Sequence, residues 1–206
     1  SSDLSNVTVL VNPISRYVID PNRPPFQKIG DAYTTNCIYE TTTSGEPMYA
    51  APLTEVVRLE RKRCYYDAYH QALKQLLAEK KQRFSKVYFL DLHSYGMNTG
   101  SDAIIGTQFG QTCSAVYSTT LQTLLEQEGL RIAENQPFAG GYLTKHYGAD
   151  AQIEAAQIEL SYAYYIDHRT FGREAFPEIC PAIFADAQQH LQLFFKNLLK
   201  EQMTCQ

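Results

Sequence analysis

Apolar and polar positions along the chain switch between a period of two and a period near three and a half. Residues 7 to 11, VTVLV, read as a short buried strand, and SRYVID continues the alternation as a second extended piece. The next forty residues, from PNRPPF to GEPMYAAP, are rich in Pro, Thr, Gly and Asn and predict a long surface excursion. From about Leu53 to Phe84, apolar residues such as Val56, Val57, Leu73 and Leu77 recur every three or four positions, the pattern of an amphipathic helix of several turns. VYFLDL, residues 87 to 92, is a continuous run of β-formers that suits a strand covered on both faces, with HSYGMNTGS as the loop after it.

The second half alternates more regularly. DAIIGTQFG predicts a strand, Ala115 to Gln127 a helix, LRIAE a short strand and NQPFAGGY a tight glycine-rich turn. AQIEAAQIEL predicts a strand with Ile153, Ala155, Gln157 and Glu159 on one face, although its periodicity also admits a helix; a last helix runs from about Ala182 to Met203. Strands alternating with helices predict an α/β domain with a mostly parallel sheet. At 206 residues the chain suits one domain.

Composition narrows the function classes. A net charge of −4 gives no basic footprint for nucleic acid, and no apolar run approaches the ~18 residues of a membrane span. The basic run RLERKR, Arg58 to Arg63, reads as a solvated helix face. Five scattered cysteines without a C-x-x-C pair argue for reduced thiols and a cytoplasmic protein, and the start shows no signal peptide. No internal repeat, phosphate-cradling G-x-x-x-x-G-K-[ST] loop or G-x-S-x-G nucleophile elbow occurs.

Three places concentrate candidate chemistry. His93 follows Asp91 by two residues at a strand's end, so both point to one side if the strand persists; His93 could hold a metal, move a proton or merely cap the strand. Asp20-Pro21-Asn22-Arg23 joins an acid, an amide and a guanidinium, which suits a carboxylate grip or a plain Asp20–Arg23 surface pair. Glu159 sits in an apolar strand, where a carboxylate is costly unless paired or working, so it is either a general base or the solvent face of an edge strand. Gly140-Gly141-Tyr142 and Lys145-His146 make a turn leading to a cluster of donors. His70, beside Tyr66 and Tyr69 on the long helix, reads as core packing or a solvated tip, and His168 and His190 as surface residues.

Taken in order, SRYVIDPNRPP, YYDAYHQAL, FLDLHSYG, DAIIGTQFG, NQPFAGGYLTKHYG and QIEAAQIELSYAYYID resemble the N-formylglutamate amidohydrolase family, from about Val7 to Asp167. That family is similar to the zinc carboxypeptidases and aspartoacylases. The resemblance implies a three-layer α/β/α, phosphorylase/hydrolase-like fold with a mixed sheet. It implies zinc-dependent hydrolysis of N-formyl-L-glutamate to L-glutamate and formate, a step of histidine degradation. It further implies His93 as a zinc ligand, Glu159 as general base, and Asn22 and Arg23, assisted by Arg16, on the substrate carboxylate; Tyr142 and His146 are substrate-contact candidates.

The partner expected is a small N-formylated or N-acylated acidic amino acid, with neither nucleic acid nor membrane. The family's two further zinc ligands, a histidine and a glutamate, lie upstream of the SRYVID motif, so the Zn2+ ligand set is expected to be incomplete in residues 1–206, a single domain lacking an N-terminal part. Two other readings stay open: a hydrolase of another N-acyl amino acid or of a C-terminal peptide residue, and a non-catalytic relative that keeps the carboxylate grip.

Overall fold

The computed structural model describes residues 7–25, 35–42, 45–167 and 178–204, so part of the long excursion, His168 and Cys205 lie outside the described residues. The chain divides into two compact units, Ser1–Val87 and Tyr88–Gln206.

In the first unit, residues 7–11 form no strand, and Val9 and Val11 are exposed. Alternation alone does not make a strand when no neighbouring strand among the described residues takes up its backbone groups. SRYVID likewise bends, with Val18 N–H donating to the Ser15 carbonyl (2.8 Å), and delivers Ile19 and Asp20 to the interior. The excursion is irregular as expected but not superficial: Asn36, Cys37, Ile38 and Tyr39 are all buried.

The predicted long helix is present in three joined pieces, α1 (Glu55–Arg61), a π-helical stretch (Lys62–Tyr66) and α2 (Asp67–Arg83). Thr54 caps it by accepting from Val57 N–H. The π stretch inserts an extra residue into the turn and shifts the buried stripe, so Tyr66, His70, Leu73 and Leu77 face inward at helical spacing while Val56 and Leu59 stay exposed. The reading of RLERKR as a solvated face fails at Arg58, which is 2% exposed. Its guanidinium pairs with Glu40 and donates to the Leu53 carbonyl (3.3 Å), which makes burial of the charge tolerable.

The second unit carries a four-stranded sheet in the order β1-β4-β2-β3: β1 (Val87–Tyr95), β2 (Ala103–Gly106), β3 (Ile132–Glu134) and β4 (Ile153–Ser161). The sheet is mixed, with β3 parallel and β4 antiparallel to β2. Helix α3 (Ala115–Gln127), capped by Ser114, is the crossover between the parallel pair. Helix α4 (Tyr142–Tyr147) precedes β4, while α5 (Tyr162–Tyr165) and α6 (Pro181–Thr204) follow it. The α/β class with an open mixed sheet stands, and α3, β4 and α6 match their predicted positions within a few residues.

One face of the sheet is dry. Ala103 and Ile105 of β2 and Ala156 and Ile158 of β4 pack with Tyr117, Leu121, Leu124 and Leu125 of α3 and Phe194 and Leu198 of α6. His190 is not a bare surface residue: Nδ1 lies 3.3 Å from Glu128 Oε2. No described helix is long and apolar enough to cross a membrane.

The end of β2 meets the glycine turn closely. A Cβ at Gly106 would lie 2.7 Å from the Ala139 backbone carbon and closer still to Gly140 N, so Gly106→Ala forces backbone to move. We expect this variant to lose about 1–3 kcal/mol in urea unfolding, the scale of an overpacked core. Tyr117 is opposite in sign. Its buried hydroxyl makes no hydrogen bond among the described residues, and burial pushes its pKa well above the ordinary 10.0. A tyrosine whose folded pKa exceeds its unfolded value contributes its stability below pH ~10 and loses it as pH rises further. Tyr117→Phe is therefore expected to raise stability by about 1 kcal/mol at pH 7 and to lessen the loss between pH ~10 and ~11, both read by urea unfolding.

Candidate active site

The face of the sheet opposite the dry core carries buried polar side chains, set among apolar ones such as Ile104 and Ala155. Tyr88 and Leu90 pack on the α3–α6 core, so strand alternation sends Phe89, Asp91, His93 and Tyr95 to the other side. Phe89 meets the Tyr147 ring of α4 there (centroids 6.0 Å apart). His93 was expected at the strand's end, with the loop beginning at that residue, but β1 continues to Tyr95 because β4 pairs beside it. The strand therefore does persist through Asp91 and His93. Their side chains meet, His93 Nε2 lying 2.8 Å from Asp91 Oδ1. Asp91 is buried and holds the ring in place through this contact.

Strand β4 places Gln157 and Glu159 on the same face. Its central position, with β1 and β2 on either side, removes the edge-strand reading of Glu159, whose register partner is Ile104. Gln157, buried at 3% exposure, donates from Nε2 to Glu159 Oε1 (2.7 Å) and accepts at Oε1 from Gly141 N–H (2.6 Å). Tyr95 belongs to this surround. Its pKa is raised mainly by burial, with the charges of Asp102 and Glu159 adding to it.

The glycine turn is clamped on its other side. Gln108, at the left-handed corner after β2 (φ 49°), donates from Nε2 to the Gly140 carbonyl (2.5 Å) and from its backbone N–H to the Ala139 carbonyl (2.7 Å). Immediately beyond, Tyr142 stacks on His146 (5.0 Å, 18° between planes), with His146 exposed and edge-on to Tyr147.

In the first unit the candidate carboxylate grip is built around Asp20. Its buried carboxylate accepts from Arg16 Nη2 (3.0 Å), from the Tyr39 hydroxyl and from Asn22 N–H (2.8 Å). Burial first, then the charge and hydrogen bond of Asp20, keep the Tyr39 phenol protonated far above its usual range. The simple Asp20–Arg23 pair is not formed, because the turn gives Asp20 to Arg16 instead. Arg23 donates from Nη1 to the Asn22 carbonyl (2.9 Å), and its Nε is buried with no hydrogen-bond partner among the described residues.

Helix α2 and the π stretch hold this turn from behind. Tyr66 donates to the Arg23 carbonyl (2.9 Å), and His70 Nε2 lies 3.1 Å from the Pro21 carbonyl. The core reading of His70 holds, but its brace on the turn was missed, as were Tyr39, Tyr66 and Gln157. Tyr66 and His70 stand four apart on one helical face, a spacing that could have paired them.

A catalytic zinc normally takes three protein ligands. His93, whose Nε2 lies 2.8 Å from Asp91 Oδ1, is one imidazole and can supply at most one ligand. No group of three or more His, Cys, Asp or Glu side chains able to hold a metal ion occurs among the described residues. The described donor set therefore does not make a complete zinc site.

Comparison with known proteins agrees with this arrangement of elements. The chain is 30% identical over 168 residues to the N-formylglutamate deformylase of Pseudomonas aeruginosa and 32% identical over 173 residues to that of Pseudomonas putida. These alignments cover 75% and 78% of this chain but 63% and 64% of those enzymes, so the chain spans less than two thirds of either relative. In structure it is similar to the N-formylglutamate amidohydrolase of Ralstonia eutropha JMP134 (TM-score 0.71, 22% identity, 90% of this chain and 73% of that one). It is also similar to the gene product Atu2144 of Agrobacterium tumefaciens (TM-score 0.61, 16% identity, 91% and 69%). The family model for N-formylglutamate amidohydrolase matches residues 2–166, and the chain belongs to that family.

Proposed function

We propose that this chain hydrolyses the amide bond of N-formyl-L-glutamate to L-glutamate and formate. The observation that carries the reading is the shared face of β1 and β4. It presents an imidazole oriented by Asp91 and a carboxylate oriented by Gln157 on adjoining strands. The substrate class follows from the relatives named N-formylglutamate deformylases.

Amide hydrolysis needs a water deprotonated as it adds to the formyl carbon and a proton returned to the nitrogen as the C–N bond breaks. Glu159 takes the first proton on its carboxylate and gives it to the leaving amine, leaving formate and the free amino acid. Held in a central strand, the carboxylate meets both transfers in one orientation. His93 is the residue we assign as one ligand of a metal ion such as zinc, and the proton steps are written for the chain's own groups.

Arg23 and Asn22 are assigned to a substrate carboxylate. The Arg23 Nε, buried and without a hydrogen-bond partner among the described residues, supports this, since a buried guanidinium N–H calls for an acceptor. Arg16, spent on Asp20 and Tyr39, is read as a brace for that turn. Tyr142 and His146, beside the clamped turn, remain assigned to substrate contact.

The test is formate release from N-formyl-L-glutamate by the purified full chain. Wild type is expected to release formate and glutamate in equal amounts. Glu159→Gln should lower kcat about a hundred- to ten-thousand-fold, the usual worth of a general base. Arg23→Ala should raise KM about tenfold or more, as loss of a charged hydrogen bond predicts. Absence of formate release by wild type, or a Glu159→Gln variant with wild-type kcat, overturns the reading; release of another acid from a different N-acyl amino acid moves it to that substrate.

A further inference from the structure

The base proposed above does not stand alone on its strand. Gln157 is two residues before it on the same face and is almost fully buried. Both ends of its amide are used: Oε1 accepts from Gly141 N–H (2.6 Å), and Nε2 donates to Glu159 Oε1 (2.7 Å). The two bonds fix the amide's orientation mutually. A flipped amide would set its NH2 against the Gly141 N–H and its oxygen against a carboxylate.

The anchor is itself stiff. Gly140 accepts from Gln108 Nε2, Ala139 accepts from both nitrogens of Gln108, and the turn lies so close to Gly106 that no Cβ fits between them. Gly141 is also the cap of α4, the helix that carries Tyr142 and His146.

We propose that Gln157 is a positioning residue that ties one oxygen of Glu159 to the Gly140–Gly141 turn, so that the base and the segment bearing Tyr142 and His146 keep one register. This inference rests on Glu159 acting as the base. A glutamine is suited to the task because it accepts from the turn and donates to the carboxylate without adding a charge of its own. Displacement of a catalytic group by about 1 Å costs on the order of a hundredfold in rate.

The experiment compares Gln157→Met and Gln157→Leu, each of which removes both hydrogen bonds with an apolar side chain of similar size. Glu159→Gln is run alongside, and formate release and melting temperature are measured for each in the full chain. Both Gln157 variants are expected to lower kcat about ten- to a hundredfold, with KM within about threefold and melting temperature within about 5 °C of wild type.

Wild-type kcat in Gln157→Met beside a dead Glu159→Gln overturns the positioning role and leaves the base intact. Activity retained in Glu159→Gln, or absent from wild type, overturns the reading of the base and the positioning role with it. Should one variant fail to fold, the other carries the comparison.

Discussion

Strand β4 runs between β1 and β2, and that central place governs how the second unit is laid out. With hydrogen-bonded neighbours on both edges, the strand's register is fixed, and a one-residue slip would exchange its two faces. In the observed register Ala156 and Ile158 enter the dry core under α3 and α6, while Gln157 and Glu159 face the opposite side. The burial of apolar side chains on one face thus holds a carboxylate in place on the other. Asp91 and His93 repeat the device on β1, where Tyr88 and Leu90 supply the apolar face.

The first unit solves a different problem. A carboxylate as buried as Asp20 is costly unless several donors meet it, and Arg16, Tyr39 and the Asn22 amide do so from one short stretch and one distant tyrosine. Tyr66 and His70 then bind the carbonyls of the same turn from the long helix. The result holds Arg23 on a backbone braced from two sides.

Elements whose signals are local were legible in the sequence. Helix α3 has a Ser cap and apolar residues at helical spacing, and β4 shows two-residue alternation around Gln157 and Glu159; both lie where the pattern put them. The Asp91–His93 pairing followed from that same alternation. What escaped depends on partners distant in sequence. VTVLV lacks a neighbouring strand among the described residues, Arg58 is drawn inside by Glu40 eighteen residues before it, and β1 runs past His93 because β4 pairs beside it. Gln157 looked like an ordinary polar position in a strand, since its importance lies in a turn sixteen residues upstream.

A crystal structure of the full chain carrying Glu159→Gln with N-formyl-L-glutamate bound would show directly where the substrate sits. The formyl group is expected against the face of β1 and β4 that carries His93 and Glu159, its carbon within about 3–4 Å of a water held by residue 159. A substrate bound elsewhere, for instance in the cleft lined by Asn98, Asp102 and Arg131, with residue 159 untouched, would contradict it.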